Sequence, residues 1–585
     1  MAGKASLPMR SPDAQFRRQV CDMIFRASGM DPAEAEKMLE TPPQGVGADL
    51  AFPCFALARG QGKHPAQIAK ELSIRLKPEG LVKDVRVKEA YINFCADWDQ
   101  LAPAVVADVL ARGPRYGAGD LKQKRVLVEH TSANPDGPLH LGHLRNTVIG
   151  DSLARIYAFC GFPTKTDFYF NTTGRQIAIA ALAYNRLNGR LPEGAKIPYQ
   201  GKPDWDVFEF YRRGNIDLEK DKAMEQEIAN LILRFESGNQ KVRDMYSSVV
   251  SKALEGHRQT LARLGVSIDN FADEADYIFS GRVGKILGEI QRRIDIGRTD
   301  GKRLWVDLSR FGIDREFTLT RSDGTTIYPA RDLAYHEDKF SRADINVNVI
   351  GTDQKFYFRQ LTSALSLLYP EKTRDYTVVF YEFLVLPEGS MSTRLGKFVS
   401  VDELLDRSMA LAMKVVEEKM PDYSTEEKEA VARAVSVGAM KYAMVKVSPE
   451  KTYAFSVEDA LSFEGDNAPY IQYTHARAAS ILRKAQTAEA APGAGAYKEE
   501  KELALVKALI EFPRVVAEAA RDFRPHYVAN YAYRLASQFN DFYQAVPVLK
   551  APVECVQPRL ALVKAASVVI SNALSLLGIG SPERM

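Results

Sequence analysis

The chain has 585 residues, of which 46% are hydrophobic and 26% charged, and its 78 basic and 75 acidic side chains leave a net charge of +3. That is the composition of a folded globular protein of about three or four domains, and it excludes a globally basic one, so a polyanionic partner must meet a local basic surface. Five scattered cysteines, no apolar signal core at the N-terminus and no apolar run of membrane-spanning length point to a reducing, cytoplasmic setting without a membrane. Residues 1–118 read as a small α+β domain, with a helical pattern from Phe16 to Phe25 and strand-like pieces at Leu50–Phe52 and Val85–Phe94. Gly113–Gly119 marks a boundary. From 119 to 404 strands and helices alternate: Val126–Glu129, a helix opening at Leu141, Thr164–Phe170, then Asn346–Gly351 and Tyr376–Phe380. That rhythm predicts an α/β core, and where it breaks, between about 182 and 300, an insertion is expected. Residues 405–585 read as almost wholly helical around a small-residue loop at Ala490–Ala496.

The stretch from Glu129 to His143, Glu-His-Thr-Ser-Ala-Asn-Pro-Asp-Gly-Pro-Leu-His-Leu-Gly-His, carries the most chemistry. It runs from an apolar strand through a turn to a helix start, where backbone N–H groups are unpaired and the helix dipole is positive. Such a start binds anions, and Gly142 lets a flat ligand approach the backbone. His140 and His143 can donate hydrogen bonds to phosphate oxygens as charge builds during nucleotidyl transfer. No Cys or carboxylate partner stands at ligand spacing, so no metal site is expected there.

Further along, Tyr328 and Asp332 lie four apart on a helix that opens with Pro329, so they share a face. A phenol and a carboxylate on one face suit a guanidinium, since a carboxylate accepts two parallel N–H bonds from that planar fork. The same residues also read as a solvated helix start with Arg331 and Asp332 paired outward. Val349–Gln354 ends a buried-looking strand with polar residues, where open α/β sheets bind ligands, or where a strand simply passes into a helix cap. Tyr91 and Asn93 alternate on one strand face, as in a pocket that stacks and reads an RNA base, or as on an ordinary edge strand.

Four segments carry a family likeness. His140-Leu-Gly-His143 resembles the ATP-binding signature of class I aminoacyl-tRNA synthetases, and its twenty-residue context Ser132–Asp151 is similar to the arginyl-tRNA synthetase version. Asp323–Lys339 and, more loosely, Ile268–Glu274 resemble that family's substrate segments, while Gly389–Lys397 resembles the second class I signature, a mobile loop. The resemblance implies a Rossmann-like class I catalytic core with an insertion, a small N-terminal α+β domain and an all-α anticodon-binding domain. It implies an arginine–tRNA ligase that takes ATP, Mg²⁺ on the phosphates, L-arginine and tRNA(Arg), works as a monomer, and needs tRNA bound even for the first step. His140, Gly142 and His143 would meet ATP together with Met391, Ser392, Thr393 and Arg394 of the loop. Glu129, Asn134, Glu274, Tyr328, Asp332 and Gln354 would line the amino-acid pocket, with Gln354 on the α-amino or carboxylate group. Tyr91 and Asn93 would meet the tRNA elbow, and Tyr531 and Asn540 the anticodon. Two departures stand out. Ser390 and Leu395 occupy the loop's lysine positions, leaving Arg394 or Lys397 as the phosphate cation, and Thr172 replaces a family acid.

Overall fold

The structure is a computed structural model that describes residues 11–43, 45–191, 195, 197–385, 399–485, 491–493 and 496–585. The N-terminal region folds as β1 (Leu50–Pro53), β2 (Val82–Lys88) and β3 (Tyr91–Ala96) in an antiparallel sheet of order β1-β3-β2, covered by the helix Pro12–Ser28. The single strand expected over Val85–Phe94 is a hairpin instead. Lys88 pairs with Tyr91, and Glu89 turns the chain with a left-handed φ of 54°. Alternation alone runs through so short a turn without a visible break.

The core is a five-stranded parallel sheet built from β4 (Val126–Glu129), β5 (Thr164–Phe170), β6 (Asn270–Asp273), β10 (Ile345–Gly351) and β11 (Tyr376–Tyr381), in the order β11-β10-β4-β5-β6. Between β6 and β10 a small antiparallel sheet is made by β7 (Gly297–Asp300), β8 (Arg303–Val306) and β9 (Phe317–Thr318). The chain leaves β4 to one side for β5 and later returns on the other side as β10. The carboxyl ends of β4 and β10 therefore flank a topological switch point, the place where such sheets bind ligands. The helical excursion after β5 is not one insertion over about 182–300, because Asn270–Asp273 returns from it to form the sheet edge. Four polar-flanked residues carry too little periodicity to be seen as a strand.

The last third is a stack of helices: Val401–Lys419, Thr425–Val445, Ala468–Ala485, Glu500–Asp522, His526–Ala545 and Val553–Leu576. Ser400 with Glu403 and Ser424 with Glu427 form reciprocal capping boxes that start the first two. Val553–Leu576 is long and apolar enough to cross a membrane, contrary to the reading that no segment qualifies; most of its apolar residues are packed inside the stack, while Val553 at its start is exposed. Arg559 and Lys564 interrupt the run in the sequence, which hides the helix's overall apolarity. The helix Trp98–Arg112 leads out of the N-terminal domain and packs on Glu500–Asp522 and Val553–Leu576.

Candidate active site

The helix Leu141–Phe159 starts where the sequence places it, and His140 is its N-cap. His140 Nδ1 accepts from the Gly142 N–H at 3.1 Å, while His143 Nδ1 accepts from the His140 N–H at 3.3 Å. The two rings stack at 3.7 Å between centroids. Burial lowers both imidazoles, His140 to about 4 and His143 well below the usual histidine value. Both are therefore neutral near pH 7, and with each Nδ1 used as an acceptor, each proton sits on Nε2. Gly142 serves this arrangement directly: a Cβ there would meet His140 Cε1 at 3.0 Å and Nδ1 at 3.2 Å. The space over the glycine is taken by the histidine that caps the helix.

Beside this helix start lies a cavity of about 550 Å³ whose lining includes Glu129, Asn134, His143, Glu274, Tyr328, Asp332 and Gln354. Its walls come from the carboxyl ends of β4, β5, β6 and β10 and from the helices Tyr328–Arg342 and Lys355–Leu368. Stacked rings of Tyr169 and Tyr335, 4.2 Å apart, contribute to the lining. Asp332 accepts the phenol of Tyr357, not that of Tyr328, which is exposed and leans on the Tyr357 ring at 5.0 Å. Enclosure pushes the Asp332 carboxyl up to about 7. Arg331 is not paired outward. It is buried, donating from Nη1 to Glu274 at 2.7 Å and from Nη2 to Glu236 at 2.8 Å. Burial raises the Glu274 carboxyl, and Arg331 pulls it back. Gln354 stands at the N-cap of Lys355–Leu368 without capping it through its side chain, and it is among the residues that line the cavity.

Sequence reasoning missed Tyr357, Lys339 and Asn348. Lys339 Nζ and Asn348 Nδ2 both donate to Glu129 Oε2, at 2.6 and 2.7 Å. A signal was available, because asparagine inside a fully buried strand demands a partner. Met391, Ser392, Thr393 and Arg394 lie outside the described residues. The segment that follows them is tied to the signature: Leu141 N–H donates to Val399 at 3.2 Å and Val401 N–H to Leu139 at 2.8 Å.

The expected RNA contacts fare differently. Tyr91 is half-buried with its ring edge-on to exposed Phe55, but Asn93 is 3% exposed in the central strand and presents no amide to a base. Tyr531 is 2% exposed, and its hydroxyl donates to the Ala508 carbonyl at 2.9 Å, so it is a core residue. Asn540 is buried too, bonded to Tyr470, Thr474 and Arg477. Both errors share a cause, since helical spacing of aromatics and amides does not say which face is inward. The surface next to Asn540 does offer a platform. The Arg477 guanidinium lies 5.0 and 5.2 Å from the ring centres of Tyr473 and Tyr543, which are 37% and 43% exposed.

Comparison with known proteins closes the question of family. Three family models match in order along the chain: arginyl tRNA synthetase N terminal domain over 14–96, tRNA synthetases class I (R), catalytic domain over 105–457, and DALR anticodon binding domain over 471–585. The chain belongs to the arginyl-tRNA synthetases. An arginine–tRNA ligase of Methanosarcina barkeri is 40% identical over 582 residues, 98% of this chain and 99% of that one. Its counterpart in Archaeoglobus fulgidus is 41% identical, covering 92% and 95%. The solved arginyl-tRNA synthetase of Thermus thermophilus superposes with a TM-score of 0.83 at 31% identity, over 97% of this chain and 100% of that one. The Plasmodium falciparum enzyme, at 15% identity, shares the fold with a TM-score of 0.79, over 98% and 99%. As an arginyl-tRNA synthetase, the chain is a class I ligase that charges tRNA with arginine, and ATP use comes with the class.

Proposed function

We propose that the cavity holds L-arginine, with ATP at the start of Leu141–Phe159. The observation that carries this is the convergence of six separately predicted residues, Glu129, Asn134, Glu274, Tyr328, Asp332 and Gln354, on one cavity together with His143. Asp332, with Tyr357 on it, takes the guanidinium; a lysine or citrulline side chain there leaves a buried acceptor unsatisfied. The arginine carboxylate oxygen attacks the α-phosphorus of ATP, and the bond from that phosphorus to the pyrophosphate oxygen breaks, giving arginyl-adenylate and pyrophosphate. Neutral His140 and His143 donate from Nε2 to phosphate oxygens at a positive helix end, a preorganised arrangement that stabilises the developing charge. Magnesium enters on the ATP phosphates and needs no protein cage. Arg394 or Lys397 supplies the cation that Ser390 and Leu395 do not. The ribose hydroxyl at the tRNA terminus then attacks the arginyl carbonyl and releases AMP. No protein nucleophile is required, because proximity and charge stabilisation suffice.

For tRNA(Arg), Tyr91 with Phe55 forms the N-terminal contact, and the Tyr473–Arg477–Tyr543 ladder takes the place of Tyr531 and Asn540 as the anticodon contact, since rings and guanidinium planes stack single-stranded bases. The enzyme works as a monomer in the cytoplasm.

ATP–pyrophosphate exchange with arginine, with and without tRNA(Arg), tests this reading, with lysine and cysteine as controls. Exchange with arginine and tRNA alone is expected; exchange without tRNA removes the coupled first step. Tyr543→Ala should weaken tRNA binding by about 1–3 kcal/mol, measured by filter binding, and unchanged binding removes the ladder from the interface.

A further inference from the structure

Lys339, Asn348 and Glu129 form a closed triangle beneath the cavity. Besides their bonds to Glu129 Oε2, Lys339 Nζ donates to Asn348 Oδ1 at 2.5 Å. Neither Lys339 nor Asn348 reaches solvent, and the ammonium lies 4.9 Å from the centre of the Tyr335 ring. The second Glu129 oxygen, Oε1, accepts a longer bond of 3.3 Å from Ser132. The geometry thus clamps one carboxylate oxygen with two buried donors and leaves the other less committed, in a residue that lines the cavity.

Lys339 and Asp332 stand on one helix, seven residues apart, which is two turns and about 10 Å along the axis. The reacting carboxylate of arginine must face the phosphates at the Leu141 helix start, with its α-ammonium one carbon away. Glu129 ends β4 at the head of the turn that leads to that start, so it is the carboxylate placed for the ammonium, while Asp332 faces the guanidinium.

We infer that Lys339 is a positioning residue for arginine activation: with Asn348 it holds Glu129 charged and oriented toward the substrate α-ammonium, and its spacing from Asp332 makes one helix a ruler for substrate length. The physical reason is that a buried carboxylate deprived of its counter-charge takes up a proton, and a neutral carboxyl no longer attracts an ammonium. The inference rests on the arginine reading of the cavity.

The test uses the full chain in tRNA-supported ATP–pyrophosphate exchange, with 5-guanidinopentanoate, which is arginine without its amino group, as a competitor. Lys339→Met should raise the arginine KM about thirtyfold or more, the usual cost of breaking a buried charged pair. The ATP KM and the inhibition constant of the deamino analogue should stay within about threefold, because neither ligand offers an ammonium to Glu129. Raising the pH should recover more of the arginine KM in Lys339→Met than in wild type, whose own dependence below about 7 belongs to Asp332. Lys339→Arg should restore most of it. Asn348→Ala, which removes the weaker donor, should raise the same KM by about fivefold and keeps the test open if Lys339→Met does not fold. An unchanged arginine KM in the folded variants, or equal losses for arginine and its deamino analogue, overturns the inference. Failure of the wild type to exchange with arginine overturns instead the reading beneath it.

Discussion

Among the carboxylates of the cavity, charge is already partly spent. Glu129 is paired with Lys339 and Glu274 with Arg331, whereas Asp332 is bonded to a phenol. Burial raises its carboxyl from an ordinary 3.8 to about 7, against the bond from Tyr357, and the nearby charge of Glu274 pushes the same way as burial. The sign follows directly. Between about 4 and about 7 the folded, ligand-free chain holds a proton here that the unfolded chain lacks, so this residue's contribution to stability falls as pH rises through that window. Binding a guanidinium needs the ionised form, so the arginine KM should rise about tenfold per unit as pH falls below about 7. Exchange kinetics between pH 5.5 and 8.5 would show it (a range of about three units). Asp332→Asn should abolish the dependence along with most arginine affinity; a limb that persists in that variant assigns the titration elsewhere. His140 and His143 are not expected to contribute it, since both are held neutral throughout. The residue types were readable because guanidinium and phosphate dictate them. Tyr357 was not, because which phenol reaches Asp332 depends on how two helices meet.

At the scale of elements, the turn after β4 holds two consecutive non-glycine residues in the left-handed region, Thr131 at φ 67° and Ser132 at φ 41°. Such backbone costs of order 1–3 kcal/mol per residue and persists only where its surroundings over-determine it. Here they do. The Thr131 N–H donates to Asn146 Oδ1 at 2.6 Å, and Asn146 Nδ2 donates onward to the Val349 carbonyl at 2.8 Å. Thr131 Oγ1 bonds to Thr147 at 2.9 Å. One asparagine on the helix Leu141–Phe159 thus joins the ends of β4 and β10, the strands that lead to Glu129 and Gln354. Gly150, a turn further along, lets the helix close on His130, where a Cβ would come within 2.2 Å of the His130 Cβ. Asn146→Ala should cost about 2–4 kcal/mol in urea unfolding, from two buried groups left unpaired, and should raise the arginine KM. A stability loss with no change in KM would reduce Asn146 to a packing role.

For the whole molecule, the signature helix is also where the catalytic core meets the helical stack. Arg145, wholly buried, donates to the carbonyls of Glu382, Ser448 and Lys451. Asp151 on the same helix accepts from Lys441 at 3.1 Å, and Lys441 in turn donates to the Gly578 carbonyl at 3.0 Å near the end of the chain. At the other end, Lys507 of the stack reaches Asp49 of the N-terminal domain at 2.8 Å and lies 4.8 Å from the centre of the Trp98 ring. The stack is thereby tied both to the helix Leu141–Phe159 and to the N-terminal domain. Lys441→Met leaves Asp151 with Arg155, at 3.0 Å, as its remaining cation and should cost about 1–3 kcal/mol, measured by urea unfolding. Adding Asp151→Asn should recover most of the loss, and a double variant no more stable than the single would deny the pair its structural part.

The sequence by itself determined the family, the helix that opens at Leu141, the strands at 126–129 and 164–170, and the polar residue types that line the cavity. These are local properties: a cap, a period, a carboxylate for a guanidinium. Tertiary structure alone decided which face of a helix or strand looks outward, and so removed Tyr531, Asn540 and Asn93 from the surface and put Tyr473, Arg477 and Tyr543 there. It alone brought Lys339 and Asn348 to Glu129, because partners separated by 210 and 219 residues meet only when β10 lies beside β4. Side-chain chemistry is written in the chain; the pairing of one buried charge with another is made by the fold.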